Sequence, residues 1–344
     1  MVPMRCLPIV GAFALVTTLA QAQSTKLDIG TVGATSDIGL FIADKKGYFR
    51  AEGLDVNFIK FDSAARMVAP LGTGQIDIGG GAPSAGLYNA FARGIDIRIV
   101  ADKGSSPPGF GFAPLMIRKD LVDSGRFKTF ADMKGLKLAI QAPGSGAGPI
   151  LNEAAKKGGL TWTDFEKAHM PYAQQVAAMA NKALDGGIVA EPTATEAERR
   201  GIAVRIAGSD VIYPYQEIAA ILFAGKLIRE RRDVAMRFMR AYIRGARDYN
   251  DAFDDNGKLA GERGEDIVAI LVASTEIKDA SIHRSIVPNG LNPDGRNNLL
   301  SLRADLEFFR STGELEGNVK IEDVVDDSFA EAVVKELGPY VKKK

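Results

Sequence analysis

Short stretches in which apolar residues alternate with polar ones are separated by longer stretches in which apolar residues recur every three or four positions. The alternation over 27–31, 54–58 and 97–101 predicts three strands. Between them, the spacing over 38–46 and 84–93 predicts two helices, each followed by a glycine. Strands that alternate with helices are typical of an α/β fold with largely parallel sheets.

The stretch from Leu71 to Ser84 combines a helix end, a short apolar strand at 76–78, three glycines in succession and a helix start. The glycines, 79–81, allow the backbone to approach another group closely, and Ser84 occupies an N-cap position. Because a helix N-terminus presents unpaired N–H groups and a partial positive charge, this loop suits a small polar or anionic ligand. The alternative is an ordinary loop between a strand and a helix.

A segment rich in glycine and proline, residues 103–114, interrupts the alternation of strands and helices, which then begins again. The later segment 182–188 repeats the layout of 74–80, in which a helix end precedes an apolar residue, an aspartate and small residues. We therefore expect two similar α/β units with a cleft between them. The chain would cross between the units near 102–118 and again near 214–224.

Residues 1–22 have the features of a secretory signal peptide. Arg5 supplies a positive charge, residues 7–19 are apolar or small, and Ala20-Gln21-Ala22 matches the small-x-small cleavage pattern. The apolar run is short for a transmembrane helix. A cleaved leader predicts export, and the bacterial periplasm is the expected compartment. The alternative is a buried N-terminal helix.

The composition argues against several kinds of chemistry. The 344 residues include 43 Lys and Arg and 43 Asp and Glu, so no net charge attracts nucleic acid. The single cysteine, Cys6, lies in the predicted leader, which removes disulfides, thiol catalysis and cysteine-ligated metals. His169 and His283 are the two histidines, and no complete dinucleotide or phosphate-loop motif occurs. We therefore expect neither a metal nor a cofactor.

A series of sequence blocks occurs in a fixed order over residues 26–335. The blocks are Ala43–Gly47 with Tyr48-Phe49, Glu52-Gly53-Leu54 and Val56; Gly74–Gly79; Gly94–Ala101; Phe130, Asp132–Gly135 and Lys137-Leu138; Ala183–Pro192; and Val324–Asp326 with Phe329. In this order they resemble the periplasmic substrate-binding proteins of ABC importers. The resemblance is to the branch that binds nitrate, taurine and aliphatic sulfonates, within the thiamine-pyrimidine-synthase-like superfamily.

The resemblance implies a type II periplasmic-binding-protein fold, in which two doubly wound α/β lobes are joined by a hinge and enclose an interlobe cleft. Lobe 1 would comprise 23–115 and 222–344, and lobe 2 would comprise 116–221. Such a monomer closes on a small-molecule ligand without chemistry and delivers it to a membrane permease. An organic anion is the expected ligand. Nitrate, sulfonates, aromatic carboxylates and pyrimidines all remain open.

Ligands of open α/β sheets bind beyond the carboxyl ends of the strands, so the loops there form the candidate site. The candidate contacts are Thr35, Ser36 and Asp37; Gly81, Ala82, Pro83 and Ser84; Lys103 and Ser105; Ser145, Gly146, Ala147 and Gly148; Glu191; and Tyr215. Backbone N–H groups of the glycine-rich loops would hold an oxyanion, and Lys103 would pair with a carboxylate or sulfonate. Structural roles compete: Asp37 as a helix N-cap, Glu191 in a salt bridge, and the crossover residues in packing.

A secreted hydrolase and a solute sensor are the alternative functions. Residues 82–86 approximate the nucleophile elbow Gly-x-Ser-x-Gly, with Ser84 as nucleophile and His283 late enough in the chain to complete a triad. An alanine replaces the first glycine, and His283 lies in a helix-like context. A pyrimidine synthase of the same superfamily would carry a cysteine cluster, which the mature chain lacks. A sensor of the same fold has the same sequence features as a carrier.

Overall fold

The computed structural model describes residues 24–343, so the predicted signal peptide lies outside the described residues. The strands are β1 (Thr25–Thr31), β2 (Leu54–Lys60), β3 (Ile78–Gly81), β4 (Ile97–Ser105), β5 (Leu115–Arg118), β6 (Lys137–Ile140), β7 (Glu166–His169), β8 (Gly186–Ile188), β9 (Ala203–Ala207) and β10 (Glu217–Ala224). The helices are α1 (Ile38–Lys45), α2 (Tyr48–Ala51), α3 (Val68–Thr73), α4 (Ala85–Ala92), α5 (Lys119–Asp123), α6 (Ala147–Lys157), α7 (Tyr172–Ala180), α8 (Thr193–Arg199), α9 (Ser209–Ile212), α10 (Gly225–Glu230), α11 (Arg232–Asn250), α12 (Gly261–Ser274), α13 (Ala280–His283), α14 (Leu299–Ser311), α15 (Ile321–Val324) and α16 (Ser328–Leu337).

The strands form two five-stranded sheets with the orders β2-β1-β3-β10-β4 and β7-β6-β8-β5-β9. β1 runs parallel to β2 and β3, whereas β10 runs antiparallel to β3 and β4. In the second sheet β6 runs parallel to β7 and β8, and β5 is antiparallel to β8 and β9. The reversed strands β5 and β10 each come directly after the chain crosses between the sheets. The predicted two-unit α/β architecture is confirmed, with two mixed sheets.

The crossings lie between β4 and β5 and between β9 and β10. Both predicted lobe boundaries fall inside strands. The boundary at 115/116 divides β5, all of which pairs in the second sheet. The boundary at 221/222 divides β10, which begins at Glu217 and pairs with β3 and β4. The glycine- and proline-rich composition therefore locates a crossing segment but not the residue at which pairing begins.

Among residues 24–343, one hydrophobic core packs on the first sheet, and two separate ones pack on the second. In the first core the Phe223 ring of β10 lies 5.6 Å from Phe238 of α11 and 5.2 Å from Phe329 of α16, measured between ring centroids. The helices after β10 therefore cover the first sheet, as the helical pattern of the C-terminal third predicts. Ile140 of β6 and Leu151 of α6 belong to one of the two cores on the second sheet.

Two strands continue through glycine further than the sequence predicts. β3 spans Ile78–Gly81, so it begins at the residue where the predicted strand 76–78 ends, and a Cβ at Gly81 would lie 2.4 Å from the Ala64 Cβ. Glycine therefore permits close packing here, not a turn. β4 continues to Ser105 at the edge of the first sheet, where register shifts against β10 relax the pairing. Lys103 and Ser105 consequently lie in a strand and not in the predicted crossover loop.

Candidate functional site

Loops that follow β1, β3, β6 and β8 meet between the two sheets. The Ala85 amide donates a hydrogen bond to the Gly144 carbonyl at 2.9 Å, and the Thr35 amide donates to the Glu191 carbonyl at 3.1 Å. Each bond joins a loop of the first sheet to a loop of the second. We call residues 33–37, 81–85, 142–148 and 189–192 the four-loop site. Most of the contacts predicted from the sequence belong to it.

Two hydroxyl groups of the four-loop site are buried and form no hydrogen bond within residues 24–343. They belong to Thr35, which is 1% exposed, and to Ser145, which is 5% exposed. Nearby, the Gln216 amide nitrogen donates to the Gly146 carbonyl at 3.3 Å, while Gln216 Oε1 has no partner among the described residues. Because a buried polar group without a partner is costly, these groups indicate where a bound molecule would gain hydrogen bonds.

Four of the described helices begin at the four-loop site, and the start of one of them, α8, is already occupied by the Glu191 carboxylate. The other three, α1, α4 and α6, have N-cap residues that place no carboxylate oxygen on the helix amides. Ser84 is the N-cap of α4, since its Oγ accepts a hydrogen bond from the Leu87 amide at 3.2 Å. A helix N-terminus carries partial positive charge, so these starts favour a negative group in the site.

The loops approach each other closely. A Cβ at Gly146 would lie 2.8 Å from the Ala82 Cβ and 3.3 Å from the Pro83 carbonyl oxygen. A Cβ at Gly148, in the first turn of α6, would lie 3.1 Å from an aromatic ring of α14. Gly81, Ala82 and Gly148, which the sequence predicts as ligand contacts, therefore lie where protein atoms pack closely.

A buried ion pair holds the loop after β1. Lys103 Nζ lies 2.7 Å from Asp37 Oδ1 and 3.1 Å from Ser36 Oγ, and neither charged side chain is exposed. Asp37 Oδ2 accepts hydrogen bonds from the Val32 and Gly33 amides, so the carboxylate holds its own loop and does not cap α1. The sequence predicts Lys103 as the partner of a ligand anion, but its partner in the structure is Asp37.

The Glu191 side chain has a structural role. It is 1% exposed and accepts hydrogen bonds from the Thr195 amide at 3.0 Å and the Thr195 hydroxyl at 2.9 Å. It also pairs with Arg205 and accepts a hydrogen bond from the Val287 amide at 3.3 Å. The salt-bridge alternative therefore describes this carboxylate, whereas the Glu191 backbone carbonyl reaches the facing loop.

Ser105 and Tyr215 lie outside the four-loop site. Both line a separate cavity of about 300 Å³ beside the two crossing strands, which we call the β4–β10 cavity. Tyr215 is 58% exposed and has a φ of +61°. The buried carboxyl groups of Asp102 and Glu217 line the same cavity. The sequence groups these crossover residues with the cleft loops, but the structure separates them.

Tyr172 and Gln216 are functional candidates that the sequence does not reveal. Tyr172 begins α7 and packs against the apolar cluster that includes Ala34 and Ala147 of the four loops. Burial, followed by the nearby Asp37 charge, raises the pKa of Tyr172 above its ordinary range. Gln216 contacts the loop before α6 and directly follows Tyr215 in the second crossing. Neither residue belongs to a sequence motif. The position of Gln216 within the predicted crossing 214–224 is the one sequence feature that could have drawn attention to it.

The buried carboxyl group of Asp305, in α14, should make the stability of the protein depend on pH. Its Oδ2 accepts a hydrogen bond from Gln216 Nε2 at 2.9 Å, and burial raises the pKa of Asp305 to about 7. The pKa of an aspartate in the unfolded chain is about 3.9, so the folded state keeps a proton that the unfolded state releases between these values. The free energy of unfolding therefore falls as the pH rises from about 4 to 7.

Asp305→Asn is expected to reduce this fall by roughly 1–2 kcal/mol. Urea unfolding between about pH 4.5 and 8 measures the effect, with the exposed Asp123→Asn as a control that keeps the wild-type profile. An unchanged profile in Asp305→Asn would contradict the assignment.

Ser84 and His283 are each engaged by other groups. The Ser84 hydroxyl accepts a hydrogen bond from the Leu87 amide, while His283 Nε2 lies 2.8 Å from the Ile277 carbonyl oxygen and 3.3 Å from Thr275 Oγ1. Residues 24–343 contain no group of three or more His, Cys, Asp or Glu placed to hold a metal. Over the same residues, no helix has the length and apolar character that a membrane crossing requires.

Several known proteins resemble this chain in sequence or in fold. A curated relative from Brucella abortus (strain 2308), provisionally named as a binding protein, is 27% identical over 212 residues, which are 61% of this chain and 62% of that protein. The alkanesulfonate-binding protein of Xanthomonas axonopodis pv. citri, solved with MOPS, superposes with a TM-score of 0.70 at 19% identity, covering 89% and 99% of the two chains. The nitrate-binding protein of Synechocystis PCC 6803 superposes with a TM-score of 0.73 at 16% identity, covering 92% and 90%.

A desulfurization enzyme also superposes, with a TM-score of 0.60 at 14% identity and coverage of 91% and 99%, so this fold also occurs in an enzyme. Residues 34–252 match the family described as NMT1/THI5 like. The chain therefore belongs to the NMT1/THI5-like family and has the two-lobe fold of periplasmic binding proteins.

Proposed function

We propose that this protein is a periplasmic solute-binding protein that captures a small organic anion in the four-loop site and delivers it to an ABC permease. The observation that carries the proposal is the pair of buried, unpartnered hydroxyls of Thr35 and Ser145, which lie on loops from opposite sheets. A molecule held by both hydroxyls would join the two lobes and so stabilise the closed arrangement of the hinge.

The charge of the site supports a negative head group. Lys103 and Asp37 neutralise each other, and so do Arg205 and Glu191. The starts of α1, α4 and α6 then add partial positive charge, whereas the Glu314 carboxylate, which accepts a hydrogen bond from the Gly144 amide at 3.1 Å, adds a negative charge beside one loop. A sulfonate or carboxylate suits such a site chemically, because its oxygens accept hydrogen bonds from hydroxyl and amide donors.

Relatives provisionally named as binding proteins support the carrier role over catalysis, as does the use of the Ser84 hydroxyl as a helix cap. The predicted leader at residues 1–22 supports export to the periplasm. A monomer that presents two lobes to a permease is the simplest assembly for this task.

Thermal shift of the full mature chain tests the proposed function. The compounds are propanesulfonate, butyrate, benzoate and nitrate, with butanol, benzyl alcohol and butylamine as neutral and cationic counterparts. A ligand at about 100 times its Kd adds about 2.7 kcal/mol to the free energy of unfolding. We expect anions to raise the Tm. A shift by neutral compounds alone would contradict the anion proposal.

Ser145→Ala and Thr35→Ala are each expected to weaken anion binding by roughly five- to tenfold, because each removes one hydroxyl donor. Neither should lower stability, since neither hydroxyl has a partner among the described residues. Titration calorimetry and urea unfolding measure the two effects.

Ser84→Ala is the matched control for these variants. Its hydroxyl caps α4, so its loss should cost about 0.5–2 kcal/mol of stability with a smaller effect on affinity. Loss of stability without loss of affinity in Ser145→Ala would remove Ser145 from the site. Ester hydrolysis that disappears in Ser84→Ala would favour the hydrolase instead.

A further inference from the structure

The β4–β10 cavity is a second candidate binding site, separate from the four-loop site. Its lining comes from the ends of the two crossing strands, from the C-terminal end of α11 and from the segment before α14. No lining residue belongs to the four loops. Its volume of about 300 Å³ lies at the lower end of the range for small-molecule sites.

Two buried carboxyl groups line this cavity. Asp102 is 2% exposed and accepts hydrogen bonds from the Gly104 amide at 2.9 Å and the Asn292 amide at 2.6 Å. Glu217 is 1% exposed, and one of its oxygens accepts a hydrogen bond from the Asn298 amide. Its other oxygen, Oε1, is buried and has no hydrogen-bond partner among residues 24–343.

Neither carboxyl group, Asp102 or Glu217, forms an ion pair with a Lys or Arg of the described residues, and Lys103 is bonded to Asp37. Burial raises the pKa of Asp102 to about 7, and burial followed by the Asp102 charge raises the pKa of Glu217 well above its ordinary value. Without a cation the two groups therefore retain a proton near neutral pH.

Aromatic rings line the same cavity. Phe110 and Phe253 meet edge to face with 5.4 Å between their ring centroids, and Tyr249 meets Phe253 in the same way at 4.9 Å. The Tyr249 hydroxyl is already used, since it donates to the Asn289 carbonyl at 3.0 Å. These rings provide an apolar wall and π faces, and π faces attract cations.

We propose that the β4–β10 cavity binds a small protonated amine, with its ammonium group at Asp102 and Glu217 and its apolar body against the Phe110, Tyr249 and Phe253 rings. An ammonium supplies several N–H donors, which match the free Glu217 oxygen and the remaining lone pairs of Asp102. A metal ion fits less well, because the described residues offer it no cluster of three acidic or histidine ligands.

Amine binding replaces the proton on the carboxyl pair by an ammonium group. The ammonium enters, the proton held by the carboxyl pair leaves to the buffer, and both carboxylates become charged. Affinity should therefore rise with pH up to about 8, below the pKa of the amine. Asp305 and Asp327 add negative charge near Glu217, whereas Lys103 near Asp102 and the exposed Arg296 on the lining add positive charge.

Titration calorimetry of the full mature chain with phenethylamine and hexylamine tests this site, with phenylethanol and hexanol as uncharged counterparts. We expect one amine per chain, proton release into the buffer, and alcohols that bind at least about tenfold more weakly. Glu217→Gln should weaken amine binding by about tenfold or more. Asp123→Asn, which removes an exposed carboxyl in α5 of the second lobe, should keep the affinity within about threefold.

Phe253→Leu provides a second variant if Glu217→Gln does not fold, and it should weaken amine binding by roughly three- to tenfold. Equal binding of amine and alcohol, or wild-type affinity in both variants, would overturn the proposal. Weaker amine binding in Ser145→Ala would assign the amine to the four-loop site and overturn it as well. Failure of anions to bind leaves this result unaffected, so the two sites are tested independently.

Discussion

Replacing Lys103 by methionine is expected to lower the free energy of unfolding by about 3–5 kcal/mol. The Lys103 ammonium and the Asp37 carboxylate are fully buried and 2.7 Å apart, and the ammonium also donates to Ser36 Oγ at 3.1 Å. Methionine fills a similar volume but leaves Asp37 charged and buried without its cation. Urea unfolding at neutral pH, followed by circular dichroism, measures the loss.

An exposed pair of similar geometry provides the control. Lys119 Nζ lies 2.8 Å from Asp123 Oδ1, and the two side chains are 47% and 57% exposed. Lys119→Met should change stability by less than about 0.5 kcal/mol, because water solvates both charges after the pair is broken. A Lys103→Met loss as small as that of Lys119→Met would show that the buried carboxylate finds another partner or takes up a proton.

A double variant separates the charge from the packing. Asp37→Asn keeps an oxygen that accepts from the Gly33 amide, at 2.8 Å in the wild type, but carries no charge. In the Lys103→Met background, Asp37→Asn should therefore recover a large part of the lost stability. If the double variant is as unstable as Lys103→Met alone, the loss arises from packing around the lysine chain instead.

The alternation of strands and helices predicts the fold well because both periods are local properties of the sequence. The errors concern glycine. Gly81 lies in β3 and Gly104 lies in β4, and in both strands a neighbouring side chain leaves room for glycine only. An added Cβ would lie 2.4 Å from the Ala64 Cβ at position 81 and 2.8 Å from the Ser36 Cβ at position 104. A glycine that permits close packing and a glycine that permits a turn look the same in a sequence. Only the neighbour, distant in the chain, distinguishes them.

The site follows a similar rule. The loops that form it can be predicted, because ligands of α/β sheets gather beyond the ends of strands. The partners within it cannot, because Lys103 and Asp37 are 66 positions apart and their pairing depends on how β4 lies against the loop after β1. Unpartnered groups are equally hidden. Ser84 and Ser145 both lie at helix starts, yet only the structure shows that the first caps its helix while the second has no partner among the described residues.

Gly146→Ala is expected to weaken anion binding by roughly 30- to 100-fold, which corresponds to about 2–3 kcal/mol. The reason is the contact between loops of opposite sheets. An added Cβ would lie 2.8 Å from the Ala82 Cβ, 3.3 Å from the Pro83 carbonyl oxygen and 3.6 Å from the Ile218 carbonyl oxygen. The backbone of Gly146 has φ −60° and ψ −10°, which alanine adopts readily, so the second lobe itself should fold normally.

Gly86→Ala is the matched control, since it adds the same methyl group nearby in α4, where the closest atom is Ser84 Oγ at 3.8 Å. It should keep wild-type affinity and gain up to about 1 kcal/mol of helix stability. Titration calorimetry gives the affinities, and small-angle scattering gives the compaction on ligand binding that Gly146→Ala should lose. Wild-type affinity and compaction in Gly146→Ala would mean that the lobes close without this contact. The proposed position of the ligand in the four-loop site would then be wrong. Weaker binding in Gly146→Ala alone, with no loss of stability in either variant, would tie affinity to the approach of the two lobes at Gly146, because only there does the added methyl group lie between them.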